Sequence, residues 1–304
     1  MTREEINEDK QKEIIKEQRK ELAKKIIKTT ILVILIITVF STAFFFYTTY
    51  ISTVKINVRE YRVINKKIPD SFNGLKIIQL SDLHYGSTMQ KENVIEIRKL
   101  TNKRKPDIVV FSGDLIAKNY NLDSKEQESL IKELKKINSS LGKYAILGDE
   151  DNEKISTIFN QSDFTILRND YDLIYKDNST PILLIGLSSE KKGQDIEKAY
   201  SYFQQETHNS NIYTIALLHE PDKVDDILST KQTDLFLAGH SHNGDIRLPF
   251  THTALKKKEG AKKYDQDRYT INQSELFVSS GLGTESGIRL FCRPSINFFR
   301  ISNK

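Results

Sequence analysis

The chain has one cysteine, Cys292, in 304 residues. A single thiol excludes an internal disulfide and any metal site built on several thiolates. It does not fix the compartment. Surplus charge is also scarce: the formal net charge is +5, and residues 1–28 hold nine Lys/Arg against seven Asp/Glu. The remaining positive balance is dispersed, and no basic, aromatic-rich patch offers a track for nucleic acid, so no nucleic-acid partner is expected. No internal repeat is present. With 38% hydrophobic residues the chain can bury a core, and its length suits one large domain or two small ones.

One segment carries no charge at all. From Thr29 to Val54, 26 residues run without Asp, Glu, Lys or Arg, and about 20 apolar residues suffice to cross a bilayer as a helix. Tyr47 and Tyr50 fall where an interfacial aromatic belt would lie. A cleaved signal peptide is the rival reading, since "STA" at 41–43 has the small residues a peptidase prefers. The apolar run continues past it through "FFFY", which favours an uncleaved anchor over residues 29–53. Residues 1–28 form a charged tail in which a lysine row at 12, 16, 20, 24 and 28 neighbours a glutamate row at 13, 17 and 21. That spacing predicts a salt-bridged polar helix leading into the span. Six basic residues precede the span and five follow it closely, with Lys24, Lys25 and Lys28 tightly clustered. The expected topology is a single-pass protein of the cell membrane, tail inside and large domain outside.

Residues 54–304 have a different texture. "VKINVREYRVI" (54–64) alternates like a strand. Short apolar runs within 75–84, 106–114, 143–151, 181–189, 212–220, 234–242 and 275–283 each end in polar residues. They are rich in Ile, Val, Leu and Phe and predict buried strands. Helical patterns lie between several of them, at 91–104 and 125–140, which indicates an α/β fold. The polar, unpatterned segment 252–273 reads as a loop or hairpin beside a site.

Five of the predicted strands end in residues able to bind metal. "SDLH" gives Asp82 and His84, "SGD" gives Asp114, and "LGDED" gives Asp149 with its neighbours. "LLHE" gives His219, and "AGHSH" gives His240 and His242. Ligands of α/β sheets gather at the carboxyl ends of strands, and Gly113, Gly148 and Gly239 beside these residues read as permitting tight turns. One histidine after a strand is ordinarily a loop residue; four of six histidines at such ends, with the aspartates, form a constellation. Asp and His together suit divalent Mn, Fe, Zn or Mg. Seven ligands are too many for one ion and suit two ions sharing a carboxylate, an arrangement fitted to in-line displacement at phosphorus.

The order D-x-H, G-D, G-N-H-[DE], H, G-H-x-H appears here as "SDLH", "SGDL", "GDED", "LLHE" and "GHSH". In this it resembles the calcineurin-like metallophosphoesterases, over about residues 54–304. "GHSHNGDIRLP" and "SSGLGTESGIRLFCRP" are similar to the membrane-associated bacterial branch of that family. The resemblance implies a four-layer sandwich, two mixed sheets flanked by helices, with a dinuclear site at one edge. It also implies that Asp82, His84 and His242 hold one ion, that Asp114 bridges, and that Asp149, His219 and His240 hold the other.

Two departures stand out. Where the family has Asn followed by a His that contacts the substrate phosphate, this chain has Asp149 and Glu150. Asp149 keeps an oxygen ligand and adds a negative charge. Glu150 is harder to place, because an ionised carboxylate repels phosphate and cannot protonate a leaving oxygen. Burial and the charges of Asp149 and Asp151 would keep a proton on it; or the leaving group, such as the phosphate of a pyrophosphate, needs none; or the site binds without turning over. Glu150 and Asp151 are the candidate catalytic residues, Asp151 in a supporting part. Asn243 and Asp245 stand where the related branch has Gly and Gln, and are expected at the rim of the site.

The chain therefore reads as a membrane-anchored, dinuclear phosphoesterase acting on a phosphodiester or pyrophosphate, with a lipid-linked or cell-envelope precursor as its substrate. The alternative is a metal-binding ectodomain that recognises phosphorylated ligands or regulates a partner.

Overall fold

The structure is a computed structural model describing residues 3–177, 180–204 and 211–304. The chain divides into two compact units between Thr48 and Thr49. The first is helix α1 (Arg3–Phe46), which continues as a π-helical turn at Tyr47–Ile51. Met1 and Thr2 of the charged tail lie outside the described residues. This helix is long and apolar enough to cross a membrane. Its large apolar side chains are exposed, Phe40 to 72%. Thr38 and Thr42 donate back to the carbonyls of Ile34 and Thr38 at 2.9 and 2.8 Å, which leaves neither hydroxyl bare on an apolar surface.

The second unit begins with β1 (Asn57–Ile64), β2 (Leu75–Leu80), α2 (Lys91–Lys103), β3 (Ile108–Ser112), α3 (Ser124–Lys135), β4 (Gly142–Ile146) and α4 (Glu153–Gln161). It continues with β5 (Thr165–Ile166), β6 (Asp170–Ile174), β7 (Ile182–Gly186), α5 (Ile196–Ala199), β8 (Thr214–Leu218), α6 (Val224–Leu228) and β9 (Leu235–Ala238). Last come β10 (Arg268–Ile271), β11 (Ser274–Val278) and β12 (Ser295–Ser302). The strands form two six-stranded mixed sheets, ordered β1-β12-β2-β3-β4-β5 and β10-β11-β9-β8-β7-β6.

The near-continuous apolar strand sequences follow from this architecture, because each central strand is covered on both faces. In the first sheet Ile77, Val110 and Ile146 point inward, against Leu184, Ile215, Leu217 and Leu237 of the second. Their neighbours Ile78, Val109, Phe111 and Ala145 point outward, under Val94, Leu130 and Phe159 of α2, α3 and α4. The outer face of the second sheet, with Leu183, Ala216 and Phe236, packs on Ala199, Val224 and Ile227. The layers are helix, sheet, sheet, helix, as the sequence resemblance implies. Helix α3 starts on a reciprocal capping box, in which Asp123 accepts from the Glu126 amide and Glu126 from the Asp123 amide.

The sequence reading missed β12, which sits between β1 and β2, parallel to the first and antiparallel to the second. Asn297 interrupts its apolar pattern. That side chain is fully buried and donates to Gln79 Oε1 at 3.1 Å, while Gln79 reaches across to the Ala238 carbonyl at 2.8 Å. A polar chain thus ties the two sheets together beneath the carboxyl ends of their strands.

Candidate metal centre

Strands β2, β3 and β4 are parallel neighbours in one sheet, and β8 and β9 in the other. Their carboxyl ends bring all seven predicted ligands together. Asp114, Asp149, His219 and His240 form one group, and Asp82, His84 and His242 a second, with the ligand atoms of each within 4.8 Å of one another. His84 Nε2 lies 3.0 Å from His242 Nε2, which is 3.4 Å from Asp82 Oδ1. His219 Nε2 lies 3.2 Å from each of His240 Nδ1, Asp149 Oδ1 and Asp114 Oδ2. The other oxygen of Asp114 accepts from the Glu150 amide at 3.1 Å.

The histidines are oriented from behind. His219 Nδ1 faces the Ser112 carbonyl at 2.8 Å, and His240 Nε2 the Glu259 carbonyl at 2.7 Å. In the neutral imidazole the carbonyl-facing nitrogen carries the proton, so the opposite nitrogen is the one available to a cation. His242 Nδ1 is 3.4 Å from Asp245 Oδ1, so a carboxylate stands behind this ring as well. Asp82 is held by Ser81 Oγ at 2.5 Å and by the His240 amide at 3.0 Å. Fixed imidazole nitrogens and carboxylate oxygens, all converging, fit divalent cations of borderline or hard character.

Backbone strain marks the same residues. Asp82, His84, Asp114, His240 and His242 all have φ between 43° and 64°, a region that non-glycine residues visit rarely and that collects at functional sites. Gly113 also needs its positive φ of 97°, as expected. Gly148 does not adopt one: it is needed for room, because a Cβ there would stand 2.2 Å from Asp114 Oδ1.

Ionisation follows from these contacts. Burial alone would raise Asp82, but the hydrogen bond and charge of His242, with His219 and His84, hold it well below the usual carboxylate range. Burial would lower His219, yet the charge and hydrogen bond of Asp114 carry it well above an ordinary histidine. Burial and the charge of His242 depress His84 to about 4.

The two candidate catalytic residues part company. Asp151 is buried, and its carboxylate accepts from the amides of Asp114, Leu115 and Gly148 at 2.8, 2.9 and 2.9 Å. It braces the two turns that carry Asp114 and Asp149. Asn152 caps α4 by accepting from the Lys154 amide. Glu150 points the other way, toward His84 Nδ1 at 3.8 Å, Lys118 Nζ at 3.8 Å and Glu285. Both His84 Nδ1 and Glu150 Oε2 are buried without a hydrogen-bond partner. Burial, hydrogen bonding with Glu285 and the charge of Asp114 push the Glu150 carboxyl up to about 8. The Asp149 and Asp151 charges expected to do this are not the leading cause.

Asn243 and Asp245 do not lie on the rim. Asn243 is 3% exposed and donates to Asp267. Asp245 stands behind His242 and 3.6 Å from the fully buried Arg289, which also holds the carbonyls of Ser280 and Gly283 at 2.7 and 2.6 Å. Glu285, Arg289 and the cation Lys258, whose Nζ lies 3.3 Å from His242 Nε2, were not singled out from sequence. "SSGLGTESGIRLFCRP" contains the first two, but no spacing rule points to them.

Comparison with known proteins gives a match to the sequence model described as calcineurin-like phosphoesterase over residues 75–244, which includes every ligand named above. The chain is 30% identical over 269 residues to the uncharacterized metallophosphoesterase YkuE of Bacillus subtilis, covering 84% of this chain and 89% of that one. It is 26% identical to the UDP-2,3-diacylglucosamine pyrophosphatase LpxG of Chlamydia muridarum, covering 80% and 89%. Identity to the phosphodiesterase YaeI of Escherichia coli is 23%, covering 76% and 84%.

Proposed function

Because the chain belongs to the calcineurin-like phosphoesterase family, we propose that it is a membrane-anchored hydrolase of a phosphodiester or pyrophosphate linkage, working with two divalent ions. One observation carries the reading: Asp114 Oδ2 lies 3.2 Å from His219 Nε2 and 3.9 Å from His84 Nε2, a single carboxylate between two ligand groups. Asp82, His84 and His242 would hold one ion, Asp149, His219 and His240 the other, with Asp114 shared. When bound, such a pair supplies Lewis acidity to phosphoryl oxygens and makes water a nucleophile near neutral pH.

The chain's own residues bear on the leaving group. Glu150 faces a cleft of about 540 Å³ whose walls include Lys118, Lys154 and Lys191. Lys118 approaches Glu150, and Lys191 Nζ lies 2.5 Å from Asp149 Oδ2. Nearby divalent ions oppose the proton that burial favours on Glu150. A leaving group that departs without a proton suits this site, and three lysines suit one that is itself an anion. The phosphate half of a pyrophosphate meets both conditions, and the name of LpxG describes a pyrophosphatase. An apolar anchor preceding the catalytic unit in the chain supports a lipid-linked or cell-envelope substrate, with the domain outside the cytoplasm.

The test uses the full chain in detergent, loaded with Mn²⁺, on a chromogenic phosphodiester and a pyrophosphate-linked lipid. Hydrolysis of the lipid should fall below about one per cent in Asp114→Asn. Glu150→His should raise the diester rate about tenfold or more, general acids contributing about 10²–10⁴ where a leaving group needs a proton, and leave the pyrophosphate rate nearly unchanged. Two bound ions with no turnover on either compound would replace the enzyme with a binding or regulatory ectodomain.

A further inference from the structure

We infer that Lys258 binds the substrate phosphoryl group, its ammonium offsetting the negative charge that Asp149 and Glu150 bring to the centre. The inference rests on the dinuclear reading above. Lys258 Nζ lies 3.3 Å from His242 Nε2, the same atom that faces His84 Nε2 at 3.0 Å and Asp82 Oδ1 at 3.4 Å. The ammonium therefore touches the ring of ligand atoms at His242.

The segment presenting it is tied down. Asp222 accepts from the amides of Lys262, Lys263 and Tyr264 at 2.7, 3.1 and 3.0 Å. The Asp222 amide donates to Gly260, and that of Ala261 to Lys258, at 2.9 and 3.1 Å. Glu259 gives its carbonyl to His240. Gly260 lies so close beneath that a Cβ would meet Glu220 Cγ at 2.9 Å. The turn is thus fastened, just after Lys258, to the segments that carry His219 and His240.

Three neighbouring lysines are otherwise engaged. Lys257 pairs with Asp265 at 3.3 Å, Lys262 with Glu259, and Lys263 with Asp225 at 2.7 Å. Among the described residues no carboxylate lies within ion-pair distance of Lys258. Its contact is a metal-facing nitrogen, which is no partner for an ammonium once an ion is bound. Repulsion by that ion turns the flexible side chain outward, and its length keeps Nζ beside whatever anion the ions hold. A phosphoryl oxygen is such an anion, and lysine binds phosphate as a compact point charge. The need is greater here than in the family pattern, because a carboxylate stands in place of an amide at 149 and of an imidazole at 150.

The experiment measures inorganic phosphate binding by titration calorimetry to the full chain in detergent with Mn²⁺, counting bound manganese in the same samples. Lys258→Met should keep two ions and weaken phosphate about tenfold or more, the scale of one charge-assisted hydrogen bond. Lys258→Arg should stay within about threefold, and Lys256→Met, from the same loop, should match wild type. Wild-type phosphate affinity in a fully loaded Lys258→Met overturns the inference. Manganese lost from Lys258→Met and not restored by Arg overturns it too, since Lys258 would then be a structural prop. A wild-type chain that never takes up two ions defeats the dinuclear reading instead.

Discussion

Gly148 shows how closely the centre is built. The turn after β4 crosses directly over the Asp114 carboxylate, and a Cβ would meet Asp114 Oδ1 at 2.2 Å and the Asp114 amide nitrogen at 2.6 Å. Relief requires moving Asp114, which the Glu150 amide and the Asp151 brace hold in place. Overpacking of this kind costs about 1–3 kcal/mol, so Gly148→Ala should still fold, with thermal unfolding only a few degrees lower. Its manganese content should fall to one ion or none and its hydrolytic rate by about a hundredfold, read by metal analysis and assay of the same preparation. Full loading and full activity would show that the turn has slack. At this scale the seven ligands were legible because the chemistry demands particular residue types next to strand ends. Arg289, Glu285 and Lys258 were not, and the sequence puts Asp245 at the rim rather than behind His242. Glu285 meets Glu150, Arg289 meets Asp245 and Lys258 meets His242 across separate loops, and their types are ordinary for any loop.

Among the elements, the buried strands were the easiest to find. Strands covered on both faces read as near-continuous apolar runs; β3, β7, β8 and β9 do so, and β2, β4 and β11 keep most of theirs around Lys76, Gln79, Lys143 and Glu275. β12 carries Asn297 and Arg300 in its pattern, β5 is two residues long, and β6 alternates with aspartates. Those three owe their pairing to neighbours rather than to their own composition. Helix α1 runs unbroken from the charged tail into the apolar span. Charge counts on either side differ little, so orientation rests on the lysine cluster before the span. Phe250 is 96% exposed, whereas the native Cys292 is 1% exposed and will not compete for label. In intact cells, Phe250→Cys should react with a membrane-impermeant maleimide. Labelling only after permeabilisation would place the domain in the cytoplasm.

For the molecule as a whole, the metal centre is a product of two sheets. Asp82, His84, Asp114 and Asp149 follow strands of the first; His219, His240 and His242 follow strands of the second. Neither set is complete by itself, and the contact from His219 Nδ1 to the Ser112 carbonyl is one of those that join them. The pattern of motifs foretold which residues would assemble, and the four-layer fold supplies the reason: parallel strands in both sheets end at the same edge. The most direct test is anomalous diffraction from crystals of the manganese-loaded chain and of Asp114→Asn. Two peaks about 3.5–4 Å apart on either side of Asp114 are predicted for the wild type, with at least one lost in the variant. A single ion, or two ions placed elsewhere, would contradict the account.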